Sequence, residues 1–337
     1  MEFRNIEELA EYIVSKGKGI LAADESNPTC AKRFDSIGVE SNETNRRDYR
    51  EMLFRSEGMK GNIGGVILFD ETIRQKSDDG TSLVDLILQQ DAIPGIKVDQ
   101  GLEPIENSPE ESVTKGLQDL GERCKEYRSI GARFTKWRAV IRIGDEMPSE
   151  NCINTNMENL AKYAKIAQDN DLVPIVEPEV LMEGSHNLEM CYEVTDKCLR
   201  ILFKELDDKE VNIKGSLLKP NMVTPGSECK EKASVELVAK STLDCLMENV
   251  PEDLPGVTFL SGGQSDINST AHLDAMNKIG GFPWKLSFSY GRALQQSSLK
   301  AWLGIKENIP AAQFALSHRA SMNRKAALGE WSSKLEN

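Results

Sequence analysis

The chain has 337 residues, 39% hydrophobic and 28% charged, and its 54 acidic against 41 basic side chains give a formal net charge of −13. This is the profile of a soluble globular chain long enough to bury a sizeable core. The acidic surplus argues against nucleic acid or an anionic membrane as partner, while leaving room for a local basic pocket that takes an anionic small molecule.

The opening segment, MEFRNIEELAEYI, carries acids inside a helical pattern rather than a basic, apolar export signal, and no apolar run approaches the ~20 residues that span a bilayer. Seven cysteines (Cys30, Cys124, Cys152, Cys191, Cys198, Cys229 and Cys245) are scattered without a C-x-x-C pair, which suggests neither a disulfide framework nor a thiolate zinc site and fits a reducing cytoplasm. The N-x-[ST] triplets at Asn42 and Asn268 are then chance matches.

Along the chain, short apolar runs that end in polar or charged residues recur eight times. They are Gly19 to Asp24, Gly65 to Asp70, Gly95 to Asp99, Phe134 to Val140, Val173 to Pro178, Ser216 to Asn221, Val257 to Gly263 and Leu286 to Arg292. The longer segments between them place apolar residues at helical spacing, as in Leu160, Tyr163, Ala164 and Ala167. Strand alternating with helix predicts parallel strands joined by crossovers, and eight such units predict a closed (β/α)₈ barrel, with an open doubly wound sheet as the alternative. No linker or low-complexity stretch divides the chain, so one barrel domain over 1–337 with a short C-terminal helical tail is expected.

Barrel active sites lie at the C-terminal ends of the strands. There the sequence places Asp24, Lys97, Lys136 with Arg138, Glu177 with Glu179, Lys219, Ser261, and Ser289 with Arg292. Charges inside apolar strands are costly unless they are paired or face a polar cavity, so the group is either a catalytic site or a set of buried structural ion pairs. Residues two apart on a strand share a face, which aligns Lys136 with Arg138 and Glu177 with Glu179. A lysine desolvated and crowded by other ammonium groups yields a neutral amine that attacks carbonyls. Lys219, set among Leu217, Leu218 and Pro220, is the candidate for Schiff-base chemistry.

Three separated histidines, His186, His272 and His318, form no metal-binding cluster, so no metal or other cofactor is expected. Two nucleotide-motif lookalikes fail on context. GKGILA at 17–22 leads into its strand instead of following one, and LSGGQ at 260–264 has no G-K-[ST] loop to accompany it. Ser261-Gly262-Gly263 instead suits a strand-to-helix loop that cradles a phosphate, with Ser289, Gly291 and Arg292 beside it; a plain turn is the alternative. A second anion site across the mouth is expected from Ser26, Lys32, Lys97 and Arg138.

Seven blocks, GKGILAADES (17–26), GGVILFDET (64–72), KWR (136–138), VPIVEPE (173–179), LLKPNMVTPG (217–226), GVTFLSGGQS (256–265) and LSFSYGRALQ (286–295), resemble class I fructose-1,6-bisphosphate aldolase in order and spacing. The resemblance implies a metal-independent barrel, usually a homotetramer, that reversibly cleaves fructose 1,6-bisphosphate into dihydroxyacetone phosphate and glyceraldehyde 3-phosphate. It implies Lys219 as the Schiff-base lysine and Glu177 as general acid and base, with Lys136, Asp24 and Glu179 assisting. Ser261, Gly262, Ser289, Gly291 and Arg292 would hold the C1 phosphate, and Ser26, Thr29, Lys97 and Arg138 the C6 phosphate. Sedoheptulose 1,7-bisphosphate as preferred substrate, or a noncatalytic scaffold role, are the alternatives.

Three departures stand out. Many members end in a tail with a terminal tyrosine, whereas no tyrosine follows Tyr290 here; Thr29 stands where relatives carry serine; and Thr135, often alanine, adds a hydroxyl beside Lys136.

Overall fold

The computed structural model describes residues 3–106 and 108–336. Eight parallel strands close on themselves: β1 (Gly19–Ala23), β2 (Ile63–Leu68), β3 (Ile93–Lys97), β6 (Phe134–Ile141), β7 (Val173–Val180), β8 (Leu217–Leu218), β9 (Gly256–Phe259) and β10 (Lys285–Tyr290). Each coincides with one of the eight apolar runs, and β1 pairs with β10 at Ile20↔Ser289 to seal the barrel. The open-sheet alternative is thereby excluded.

The strand period of two divides each strand between two environments. Leu21, Ala23, Trp137, Ala139, Val176 and Leu218 face outward into the layer between strands and helices. Trp137, for example, stacks on Tyr163 of the helix Glu150–Gln168, ring centroids 5.5 Å apart. Thr135 shares that outward face, and its hydroxyl meets the Tyr163 hydroxyl at 2.8 Å. The hydroxyl expected beside the catalytic strand therefore serves helix packing and points away from the barrel interior.

The inward files begin apolar and end charged. Ile20, Ile67, Ile93, Phe134, Val173, Ile175 and Leu217 form one buried cluster inside the barrel. The helix Ile6–Ile13 closes it from below with Leu9, Ala10 and Ile13. That helix starts where Asn5 accepts a hydrogen bond from the Glu8 amide at 2.9 Å, satisfying a free N–H of the first turn. Phe134 fills the centre, and Gly95 is required opposite it, because a Cβ there would fall inside the phenyl ring. The same files continue upward into Asp24, Lys97, Lys136, Arg138, Glu177, Glu179 and Lys219, so a dry apolar floor lies directly beneath a charged ceiling.

Strand β8 spans two residues because Pro220 has no N–H to extend a ladder. The chain keeps its course nevertheless. Lys219 N–H donates to Val176 at 2.8 Å, and the Pro220 carbonyl accepts from Leu260 at 3.0 Å.

One element lacks a sequence signal. A two-stranded antiparallel hairpin, β4 (Leu102–Ile105) with β5 (Ser108–Thr114), follows β3 outside the barrel. Its segment reads as acidic and proline-interrupted, and it is fastened by long-range hydrogen bonds from Thr114 Oγ1 to the Arg138 carbonyl (2.6 Å) and from the Ser149 amide to Glu111 (2.7 Å).

Phe134→Ala is expected to lower unfolding free energy by about 3–5 kcal/mol, because the plug is fully buried between a helix and a closed sheet that cannot collapse into the void. Urea denaturation followed by circular dichroism measures it.

Candidate active site

The upper ends of the strands surround a cavity of about 930 Å³. Fourteen of the residues singled out from the sequence line it, namely Asp24, Ser26, Thr29, Lys97, Lys136, Arg138, Glu177, Glu179, Lys219, Ser261, Gly262, Ser289, Gly291 and Arg292, whereas Lys32 does not. At its centre the β6–β7 register sets Arg138 opposite Glu177, and the β3–β6 register sets Lys97 opposite Lys136. Glu177 is shared between two amines, with Oε1 2.9 Å from Lys219 Nζ and Oε2 3.1 Å from Lys136 Nζ. Lys136 Nζ reaches a second carboxylate, Asp24 Oδ2, at 2.8 Å. The chain Lys219–Glu177–Lys136–Asp24 thus alternates in charge across the barrel. Lys219, Lys136 and Glu177 are each 3–4% exposed, so these contacts are desolvated and strong. Lys219 thus shares a carboxylate with Lys136, the arrangement of lysines around Glu177 that the sequence suggested, and that carboxylate lies within reach of its proton.

Two polar arms flank the centre. On one side, β9 gives way to Ser261-Gly262-Gly263, and Ser289 stands one residue before the end of β10, after which Gly291 opens the eleven-residue helix Arg292–Trp302. A Cβ at Gly262 would lie 2.8 Å from Glu179 Oε1, so a side chain there would push the Glu179 carboxylate aside. The Ser289 side chain is buried, and its Oγ finds no partner among the described residues. On the other side, Ser26 caps the helix Asn27–Asp35, and its Oγ lies 3.1 Å from Thr29 Oγ1. Lys97 pairs with Asp99, and Arg138 with Glu179. Hydroxyls, backbone N–H groups at helix starts and cations at both ends make a site for a ligand with two anionic termini.

The sequence model described as glycolytic, fructose-bisphosphate aldolase class-I, matches residues 5–337. A probable class 1 fructose-bisphosphate aldolase of Xanthomonas axonopodis pv. citri is 51% identical over 98% of this chain and 99% of its own length. Cytosolic fructose-bisphosphate aldolase 4 of Arabidopsis thaliana is 52% identical over 95% of this chain and 82% of its own. Among solved structures, a fructose-bisphosphate aldolase from Plasmodium falciparum, crystallised with TRAP and a small-molecule inhibitor, superposes with a TM-score of 0.96 at 47% identity, covering 97% of this chain and 95% of that one. The chain belongs to the class I fructose-bisphosphate aldolase family. It is an aldolase, and hence a lyase of glycolysis, on a (β/α)₈ barrel.

The aldolase keeps its central groups charged. Burial opposes ionisation of Asp24, but the ammonium groups of Lys136, Lys219 and Lys97 outweigh it and hold the carboxyl well below the usual range. Burial likewise disfavours a charged Lys136, yet Asp24, Glu177 and Asp99 hold it protonated above the ordinary lysine value. Glu177 is also buried, and Lys136, Lys219 and Arg138 lower it, against a smaller opposing effect of Asp24. At neutral pH it is a carboxylate able to accept a proton.

Some lining residues of the aldolase were not singled out from the sequence. Arg33 lines the cavity in place of the expected Lys32, which is exposed. Arg33 lies about one turn beyond Thr29 on the same helix, and Lys32, about 100° round the axis from Arg33, turns to solvent. Arg33 is held by Glu25, which also accepts from Arg50 at 2.8 Å and from Gln295 at 2.9 Å. The Thr29–Arg33 spacing was visible in the sequence; the convergence of Glu25, Arg50 and Gln295 from three segments was not. No helix among the described residues is long and apolar enough to cross a membrane.

Removing Lys136 leaves two buried carboxylates without their shared cation. Lys136→Met is expected to cost about 3–5 kcal/mol of stability at neutral pH. Because the folded-state values of Asp24 and Glu177 are depressed, their contribution is complete above the unfolded carboxylate range and is lost as pH falls through the folded values. The difference between parent and variant should therefore narrow below about pH 4, as carboxylates protonate. Urea titrations at stepped pH measure it.

Proposed function

We propose that the aldolase cleaves fructose 1,6-bisphosphate through a Schiff base on Lys219. The observation that carries this reading is the buried Lys219–Glu177–Lys136–Asp24 chain at the centre of a cavity with an anion-binding arm on each side. Glu177 Oε1, 2.9 Å away, takes a proton from Lys219. The neutral amine adds to the C2 ketone, and Glu177 returns its proton to the departing hydroxyl, so that loss of water leaves an iminium and a carboxylate. Glu177 then removes the C4 hydroxyl proton, the C3–C4 electron pair flows into the iminium, and glyceraldehyde 3-phosphate departs. Protonation of the resulting enamine at C3 and hydrolysis release dihydroxyacetone phosphate and restore Lys219. Lys136, kept charged by Asp24, stabilises negative charge developing at the C4 oxygen.

Substrate orientation follows from the two arms. Ser261, Gly262, Ser289, Gly291 and Arg292 receive the C1 phosphate, with the start of the helix Arg292–Trp302 aimed at it. Ser26, Thr29, Lys97 and Arg138 receive the C6 phosphate, and Glu179 orients Arg138. The chemistry requires neither metal nor other cofactor, so activity should persist in chelator. We also propose that the protein works in the cytoplasm, as two relatives named cytosolic suggest, without nucleic-acid or membrane partners, and as a homotetramer, which sedimentation at several concentrations would test.

Borohydride reduction in the presence of dihydroxyacetone phosphate should fix one adduct on Lys219, located by peptide mass spectrometry; an adduct elsewhere would overturn the assignment. Lys219→Met should lower kcat by about three orders of magnitude or more, the scale of a deleted covalent nucleophile. Arg292→Ala should instead act mainly on KM, raising it about tenfold through loss of charge-assisted bonds to the C1 phosphate.

A further inference from the structure

The cations assigned to the C6 phosphate are already occupied in the free protein. Arg138 is paired with Glu179, and Lys97 with Asp99. The second pair is unusual. Asp99 stands two residues beyond Lys97, outside any strand, and takes Lys97 by both its carboxylate and its carbonyl, the latter at 3.0 Å. Its side chain is 5% exposed against 18% for Lys97, so the carboxylate lies deeper than the cation it holds. Oδ2 is buried with no hydrogen-bond partner among the described residues. A buried carboxylate half without partners is costly, and in a pocket that must accept a phosphate dianion it also repels the ligand.

Both oddities have one explanation if the carboxylate stands where ligand charge will come. We propose that Asp99 is an internal placeholder for the C6 phosphate, a positioning residue that occupies Lys97 until a phosphoryl group displaces it and so sets the affinity of that arm. The inference rests on the reading that Lys97 and Arg138 bind the C6 phosphate. A phosphate dianion, with more charge and more acceptor oxygens, outcompetes a single carboxylate, but it must first break the Lys97–Asp99 pair. That cost falls only on ligands carrying a C6 phosphate. Dihydroxyacetone phosphate, held by the opposite arm, does not meet it.

Asp99→Asn removes the charge and keeps the shape. The KM for fructose 1,6-bisphosphate should fall about fivefold, the worth of one partly exposed ion pair, with kcat changed less than KM. Binding of dihydroxyacetone phosphate, read by competition, should not change. Asp99→Glu, which restores a carboxylate, should return KM towards the parent value. In a Lys97→Met background, where there is no cation to release, Asp99→Asn should lower KM by less than it does in the parent. A KM unchanged or raised in Asp99→Asn, or an equal shift for dihydroxyacetone phosphate, overturns the proposal. If Lys97→Met itself leaves the bisphosphate KM unaltered, the underlying phosphate assignment fails and the proposal with it, whereas a raised KM there and no effect of Asp99→Asn defeats the placeholder alone. Thermal unfolding accompanies each variant, and Asp99→Ser serves if the asparagine variant does not fold. Loss of folding in both would make Asp99 a structural anchor and also overturn the proposal.

Discussion

The site depends on one carboxylate being shared. Glu177 sits 2.9 Å from Lys219 and 3.1 Å from Lys136, and among the described residues it is the one carboxylate paired with buried Lys219. Asp24 balances the second lysine from the opposite wall, giving two ammonium groups and two carboxylates in alternation. Such a chain resists loss of any member, because each removal strands a buried charge. It also lets protons move between neighbours with little motion of heavy atoms. Stability and the proposed chemistry therefore rest on the same contacts.

The apolar floor makes this arrangement strong. Phe134, Ile175 and Leu217 lie one step below Lys136, Glu177 and Lys219 on the same inward files, and the helix Ile6–Ile13 shuts out water from beneath. Charges above a low-dielectric base interact more strongly than they would in solvent, and the same base leaves them no alternative hydration. The division of labour within the barrel is thus vertical: packing below, electrostatics above.

Much of this was legible in the sequence because the strand period is strict. A lysine or glutamate two residues after an apolar inward position must point into the barrel, so Lys136 above Phe134 and Glu177 above Ile175 could be read directly. The same rule applied to Thr135 would have sent its hydroxyl outward to the helix layer, where Tyr163 receives it. Legibility fails where position depends on helix phase or on distant segments. Lys32 and Arg33 are adjacent and both basic, and only the phase set by a short helix beginning near Pro28 separates the exposed one from the lining one. The partners of Glu25 come from residues 33, 50 and 295, and no local pattern announces that meeting. The hairpin from Leu102 to Thr114 is held by contacts to Arg138 and Ser149 rather than by its own alternation. Asp99 ended a recognised apolar run, but its capture of Lys97 requires a bend that follows the strand.

The seam between β1 and β10 joins the beginning of the chain to residues about 270 positions later. Ser26 and Thr29 stand on one side of it, Gly291 and Arg292 on the other. During synthesis the first strand emerges long before its neighbour exists and must wait with one edge unpaired, a non-local closure of the kind that slows folding. The two arms proposed to bind the phosphates thus come into mutual register only when the ring shuts, and a nascent chain short of β10 lacks the seam that sets one arm against the other.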